Sequence, residues 1–295
     1  SSFGRSVKLT NDGTLLIVGA EWCDSNTGYV AVYEWDGESW IQRGSDLSGN
    51  HQGDVFGSSV DISDFGDYII VGSPGDDTNA DRSGKASVYE WDGDWILFSE
   101  VHGDLQYDRF GQDVAISDYG DVIAVSSDQA DGSEGANNDI GMVRTYLKND
   151  NEYNQIGQDF TGNSLNDKLG ANMSLSASGE TIAISGHGVD VLFGNDGLVK
   201  VYDYNSRLES WEERTDPNIL AEPGTNGMYG FGGAEISSDG NYLAVLSTNT
   251  AYVYQWNSDE TKFDKIGEFG YEVTEEDSDW FDGISICGNT TEYSV

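Results

Sequence analysis

The sequence is poor in the residues from which most catalytic and metal sites are built. It has three histidines, His51, His102 and His187, and two cysteines, Cys23 and Cys287. The cysteines have no C-x-x-C spacing, so neither a zinc site nor a thioredoxin-like centre is indicated. They stand near opposite ends of the chain. They fit one disulfide between those ends in an oxidising compartment, or two buried free thiols. No G-x-S-x-G, H-E-x-x-H or Walker sequence occurs. Glycosidases need paired carboxylates, but in a chain with 53 acidic residues some pair is always available. The expectation is a protein with no catalytic residue set.

Basic residues are equally scarce. Lysine and arginine number 14 against 53 aspartates and glutamates, a net charge of −39. Such a surface repels nucleic acid, whose phosphates must be neutralised by cations, and anionic lipid headgroups. It attracts cations and basic partners, and it also suits solubility in a salty medium. No apolar run reaches the roughly 18 residues of a membrane span, so no membrane insertion is expected. No secretory leader is recognisable, and the chain reads as a mature form or a segment of something longer. Proline is nearly absent, with 3 residues, whereas glycine (38) and the aromatics (8 Trp, 16 Tyr, 11 Phe) are plentiful. Evenly spread aromatics argue against disorder, and abundant glycine points to short strands joined by tight turns.

Self-comparison reveals a period of about 55 residues. One block starts at Phe3-Gly4, Phe56-Gly57, Phe110-Gly111, Leu169-Gly170 and Phe231-Gly232. Each start leads into alternating apolar positions, such as Val7 and Leu9 or Val60 and Ile62, the period-two mark of a strand with one buried face. A turn ending in Gly13, Gly66, Gly120, Gly179 or Gly240 follows, then a more apolar strand such as Leu15-Leu16-Ile17-Val18. A third strand leads to Tyr33, Tyr89, Tyr146, Tyr202 or Tyr254, and a fourth opens on Trp40, Trp95, Tyr153, Trp211 or Phe263. Four strands per repeat cannot bury both faces of one sheet. Radial stacking of sheets does, which predicts an all-β propeller of four-stranded antiparallel blades. The single domain divides into repeats 3–55, 56–109, 110–168, 169–229 and 230–280, plus a partial repeat 281–295 starting at Phe281. Five full repeats and one extra strand imply part of a six- or seven-bladed ring.

Phe3-Gly4 followed by Val18-Gly19-Ala20, Phe56-Gly57 followed by Val71-Gly72-Ser73-Pro74, and the strand Gly28-Tyr29-Val30-Ala31-Val32-Tyr33 resemble the FG-GAP repeat of integrin α-subunit propellers. The resemblance implies an extracellular or cell-surface propeller used in adhesion or recognition, often with calcium. Integrin-type calcium loops lie between the first and second strands. Here those segments are short, as in Asn11-Asp12-Gly13, and lack the oxygen ligands that calcium needs.

Richer acidic loops lie between the second and third strands: Asp76, Asp77, Asn79 and Asp81 in the second repeat, and Asp128, Asp131, Glu134 and Asp139 in the third. Carboxylates and amides in a glycine-containing loop can wrap Ca2+, and equally can be a solvated acidic loop. Two glycosylation sequons begin at Asn289 and Asn172. Trp22 and Trp280 fall off the repeat pattern, whereas Trp35, Trp40, Trp91, Trp95, Trp211 and Trp256 occupy repeat positions suited to packing between blades. The expected function is a non-enzymatic adhesion or protein-interaction module with protein or glycan partners. The alternatives are a structural subunit of an extracellular filament or assembly, self-associating through open propeller edges, and a carbohydrate-binding module.

Overall fold

The computed structural model of the chain describes residues 2–131, 138–186, 188, 197–214, 233–247 and 250–270. These residues form strands and turns only, in five antiparallel sheets. The first blade comprises β1 (Ser6–Leu9), β2 (Leu15–Ala20), β3 (Tyr29–Trp35), β4 (Trp40–Gln42) and β5 (Leu47–Ser48). The second comprises β6 (Val60–Ile62), β7 (Tyr68–Ser73), β8 (Lys85–Trp91) and β9 (Trp95–His102). The third comprises β10 (Val114–Ile116), β11 (Val122–Ser127), β12 (Met142–Lys148) and β13 (Tyr153–Thr161). The fourth comprises β14 (Leu169–Leu175), β15 (Thr181–Gly186), β16 (Leu198–Asn205) and β17 (Ser210–Glu213), and the fifth β18 (Gly233–Ile236), β19 (Tyr242–Leu246), β20 (Thr250–Asn257) and β21 (Lys262–Gly270). Within each blade the strands pair in chain order, except that β5 of the first blade pairs β3, so the chain is a β-propeller whose described blades are five antiparallel meanders. The partial repeat from Phe281 lies outside the described residues.

The turn between the first two strands is the same in all five blades. Gly13, Gly66, Gly120, Gly179 and Gly240 have φ between 68° and 73° and donate their N–H to the carbonyl three residues back. That carbonyl belongs to Thr10, Ser63, Ser117, Ser176 or Ser237. The hydroxyl of the same residue accepts the N–H five residues on, from Leu15, Tyr68, Val122, Thr181 or Tyr242. Glycine is required because left-handed backbone is costly for other residues. The turn is closed by its own hydroxyl.

Fourth strands are irregular in a consistent place. Register shifts between Val88/Tyr89, Val143/Thr145 and Val253/Tyr254 mark bulges in three blades. In the first blade the same irregularity splits the strand into β4 and β5, both paired to β3. Bulges add local twist, which here curves the outer edge of these blades.

The core lies between blades. The first blade contributes Leu15, Ile17, Val30 and Val32, and the second answers with Phe56, Val60, Ile62, Ile69 and Val71. The next junctions repeat this scheme. Trp95 and Trp211 are buried as the repeat predicts, but Trp35 and Trp40 are each 40% exposed. These two face the side of the first blade that has no preceding blade in chain order to cover it.

Candidate functional site

The first strand of each blade is a sheet edge, with backbone groups that no strand pairs. In this propeller side chains cap them. Ser6 Oγ accepts the N–H of Val60 at 3.0 Å, and Ser59 Oγ that of Val114 at 3.2 Å. Asp113 Oδ2 accepts the N–H of Met173 at 2.9 Å. One alternation further along, Asp61 Oδ2 caps Ile116 at 2.9 Å and Ser174 Oγ caps Ile236 at 2.7 Å. Each bond crosses from one blade to the next. Lys8 occupies the same row but has no acceptor, and Ile62 N–H is instead taken by Asp61 Oδ1 at 2.9 Å.

The five first strands surround a channel of about 780 Å³. Its wall carries Lys8 with Asp61, Asp113 and Glu235. The Lys8 ammonium lies 4.0 Å from Asp61, and that carboxylate, followed by Glu235 and Asp113, holds the lysine charged well above its usual range. Burial pushes Asp113 up to about 6 against its hydrogen bonds from Ser59 and Met173. Burial likewise raises Glu235, with Lys8 opposing.

One mouth of the channel is framed by the turns between first and second strands. Asp64 N–H donates to Asp118 O, Asp118 N–H to Ala177 O, and Ala177 N–H to Ser238 O, each at 3.0 Å. Asn11 N–H completes the run on Asp64 Oδ1 at 2.6 Å. The Asp64 and Asp118 side chains line the mouth, and burial, then the charges of Asp64 and Asp61, raise the Asp118 carboxyl. Next to them in sequence, Phe65 and Tyr119 are 60% and 63% exposed, with ring centroids 5.3 Å apart. The result is a bare aromatic pair beside an acidic opening, a combination suited to a cationic group.

The acidic loops singled out in the sequence lie on the opposite face and bond mainly to their own surroundings. Asp76 is buried, 3.3 Å from Lys85 Nζ, and accepts Thr78 N–H. Asp77 caps Arg82 N–H, Asn79 donates to Gly103 O, and Asp81 accepts the Tyr107 hydroxyl at 2.7 Å. Asp131 caps Asn138 and Asp139, while Asp139 sits 3.8 Å from Lys168. Asp128 is half-buried with one oxygen, Oδ1, lacking a hydrogen-bond partner, and its carboxyl is raised by burial. Among the described residues no three His, Cys, Asp or Glu side chains gather as a metal site. Glu134, Asn289, Cys287 and Trp280 lie outside the described residues. Cys23 is a half-buried free thiol. Asn172 stands in the channel wall, its amide on Ala171 O. Trp22 is 57% exposed with Arg5 stacked 5.4 Å from its ring centre.

Two sets of polar residues escape a reading of the sequence alone. The channel residues occupy the polar alternation of first strands, at a constant offset from each repeat start. The second set is Asp54, Asp108 and Asp167, two residues before Phe56, Phe110 and Leu169, and each 3–4% exposed. Asp54 and Asp167 each cap two loop N–H groups. Their regular spacing was the available signal.

Residues 48–89 match a family model. The matching model is the FG-GAP repeat. The segment's glycines have a structural role: Gly57 takes φ 84°, and a Cβ on Gly72 would collide with the carbonyl of Gly111 in the next blade. The FG and GAP glycines of adjacent blades thus meet back to back. Comparison with curated proteins gave no match. Among solved structures, a functionally unknown protein from Desulfotomaculum acetoxidans is similar over 91% of this chain and 70% of its own, with TM-score 0.59 and 16% identity. A candidate 6-phosphogluconolactonase from Bacteroides uniformis matches over 90% and 85%, at TM-score 0.54 and 13% identity. Another from Bacteroides fragilis matches over 90% and 84%, at 0.52 and 12%. At such identities the likeness is one of fold.

Proposed function

We propose that this chain is a non-enzymatic interaction module of the extracellular or cell-surface kind, engaging a protein partner through a basic side chain at the turn-framed mouth of its channel. The fold and the FG-GAP repeat support an interaction module. The observation that carries the specific reading is the exposed Phe65–Tyr119 pair beside Asp64 and Asp118. Exposed aromatics at the centre of a rigid face act as anchors, and the carboxylates select cationic partners and speed encounter. The backbone bonds between neighbouring turns hold the anchor in place before binding, which lowers the ordering cost. Fluorescence anisotropy with a labelled lysine- and arginine-containing peptide tests this reading. Binding that is lost in Phe65→Ala with Tyr119→Ala supports it, because that variant leaves the charge unchanged. Binding indifferent to the pair overturns it.

A further inference from the structure

The first strands present one equivalent row to the channel. Lys8, Asp61, Ala115, Ser174 and Glu235 each sit opposite the same second-strand position, at Ile17, Ile70, Ala124, Ala183 and Ala244. In this row the fold can use an acceptor: Asp61 and Ser174 each take a backbone N–H of the following blade. Lys8 cannot. The N–H it would face, that of Ile62, goes to Asp61 Oδ1. Its ammonium makes no hydrogen bond among the described residues, and the nearest carboxylate oxygen, on Asp61, is 4.0 Å away. A charged group with three donors thus stands in the channel wall with no acceptor supplied by the fold.

The groups around it are acceptors with positions still open. An ionised carboxylate offers about four acceptor positions. Asp61 fills two of them, with the N–H groups of Ile62 and Ile116. Asp113 fills three, with Val114 N–H, the Ser59 hydroxyl and Met173 N–H. Those bonds fix both carboxylates, so they cannot turn to wrap a bare cation in the many oxygens it needs, and Lys8 repels one. An anion meets Asp61, Asp113 and Glu235. A neutral hydroxyl suits both kinds of group, because it accepts from the ammonium and donates to a carboxylate. One hydroxyl spans the 4.0 Å between Lys8 and Asp61 with both bonds of ordinary length. The channel, at about 780 Å³, has the size of a small-molecule site, and the residues lining it are all among the described ones.

We propose that the channel binds a small neutral polyhydroxylated ligand, a mono- or disaccharide, with Lys8 donating to its hydroxyls and Asp61 and Asp113 accepting from them. This seat lies inward of the mouth framed by Asp64 and Asp118, and it does not depend on the basic side chain assigned there.

Isothermal titration calorimetry tests the proposal with glucose, galactose, mannose, N-acetylglucosamine, maltose and lactose as probes. Glucuronate and glucosamine serve as charged counterparts. The unmodified chain is expected to bind at least one neutral sugar saturably at one site, with an affinity that salt leaves unchanged, since the ligand carries no charge to screen. Lys8→Met should weaken that binding about tenfold or more, as expected for loss of a charged donor. Melting temperature checks that the variant remains folded, and Lys8→Gln is a second variant that also removes the charge. Phe65→Ala with Tyr119→Ala strips the mouth of its aromatics and should leave sugar binding unchanged, so the two readings fail separately. Absence of binding by every neutral sugar overturns the proposal, as does equal binding by Lys8→Met and Lys8→Gln. Binding of glucosamine alone would make the channel a cation seat, and binding of glucuronate alone an anion seat; either result overturns it too.

Discussion

The carboxylate of Asp113 on the third blade accepts the backbone N–H of Met173 on the fourth, at 2.9 Å. Its other oxygen accepts the hydroxyl of Ser59 on the second blade, at 2.9 Å. One side chain thus ties three blades together at the channel wall. Replacing it with alanine leaves an enclosed N–H without its acceptor, at a cost of about 1–3 kcal/mol. Urea denaturation should show that loss for Asp113→Ala and a smaller one for Asp113→Asn, which keeps an acceptor oxygen.

The same residue gives the protein an inverted acid response. Burial raises Asp113 to about 6 and also raises Asp108 to about 6. Between the ordinary carboxylate range and pH 6 the folded state therefore binds more protons than the unfolded state. Stability then rises as pH falls from 7 towards 5. Melting temperature should increase over that interval, and Asp113→Asn should flatten the increase. A melting temperature that declines from pH 7 to 5 contradicts this assignment.

Gly72 and Gly93 should respond differently to alanine. A Cβ at Gly72 strikes the Gly111 carbonyl, whereas one at Gly93 meets nothing and faces only its φ of 81°. Gly93→Ala should cost roughly 1–2 kcal/mol for the left-handed backbone. Gly72→Ala must push two blades apart, and overpacking of this kind costs about 3 kcal/mol or more. Parallel chemical denaturation of the two variants decides it.

Lys85 is 4% exposed, and its ammonium is held by Asp76 at 3.3 Å and Glu100 at 2.7 Å. The carboxylate most central to a calcium reading of that loop is thereby committed to an ion pair. Asp76→Ala should destabilise the fold by about 3 kcal/mol, the lower end for removing one partner of a buried pair, because Glu100 remains. Calcium or a chelator should leave the melting temperature of the unmodified chain unchanged. A calcium-dependent rise abolished by Asp81→Ala would support the metal reading.

Much of the fold is written in the sequence because its causes are local. The turn glycines are required by left-handed backbone, and the Val60-x-Ile62 alternation by one-sided burial. The channel is not local. Lys8, Asp61, Ser174 and Glu235 read singly as solvent-facing strand residues, and only ring geometry brings them to one wall. The acidic loops are not decided by composition for a related reason. Carboxylates that cap a backbone N–H, as Asp77 and Asp131 do, have the same composition as carboxylates that ligate a cation. Trp35 and Trp40 carry the repeat's burial pattern, but whether a blade covers them depends on the junction between the ends of the series.

The most direct test of the proposed function pairs two variants in one binding measurement with a basic peptide. Phe65→Ala with Tyr119→Ala removes the aromatic pair at constant charge, and Asp64→Asn with Asp118→Asn removes two charges at constant shape. The account predicts saturable binding by the unmodified chain, weakened by salt and lost in both variants while their melting temperatures hold. Binding that survives both substitutions, or no saturable binding at all, would contradict it.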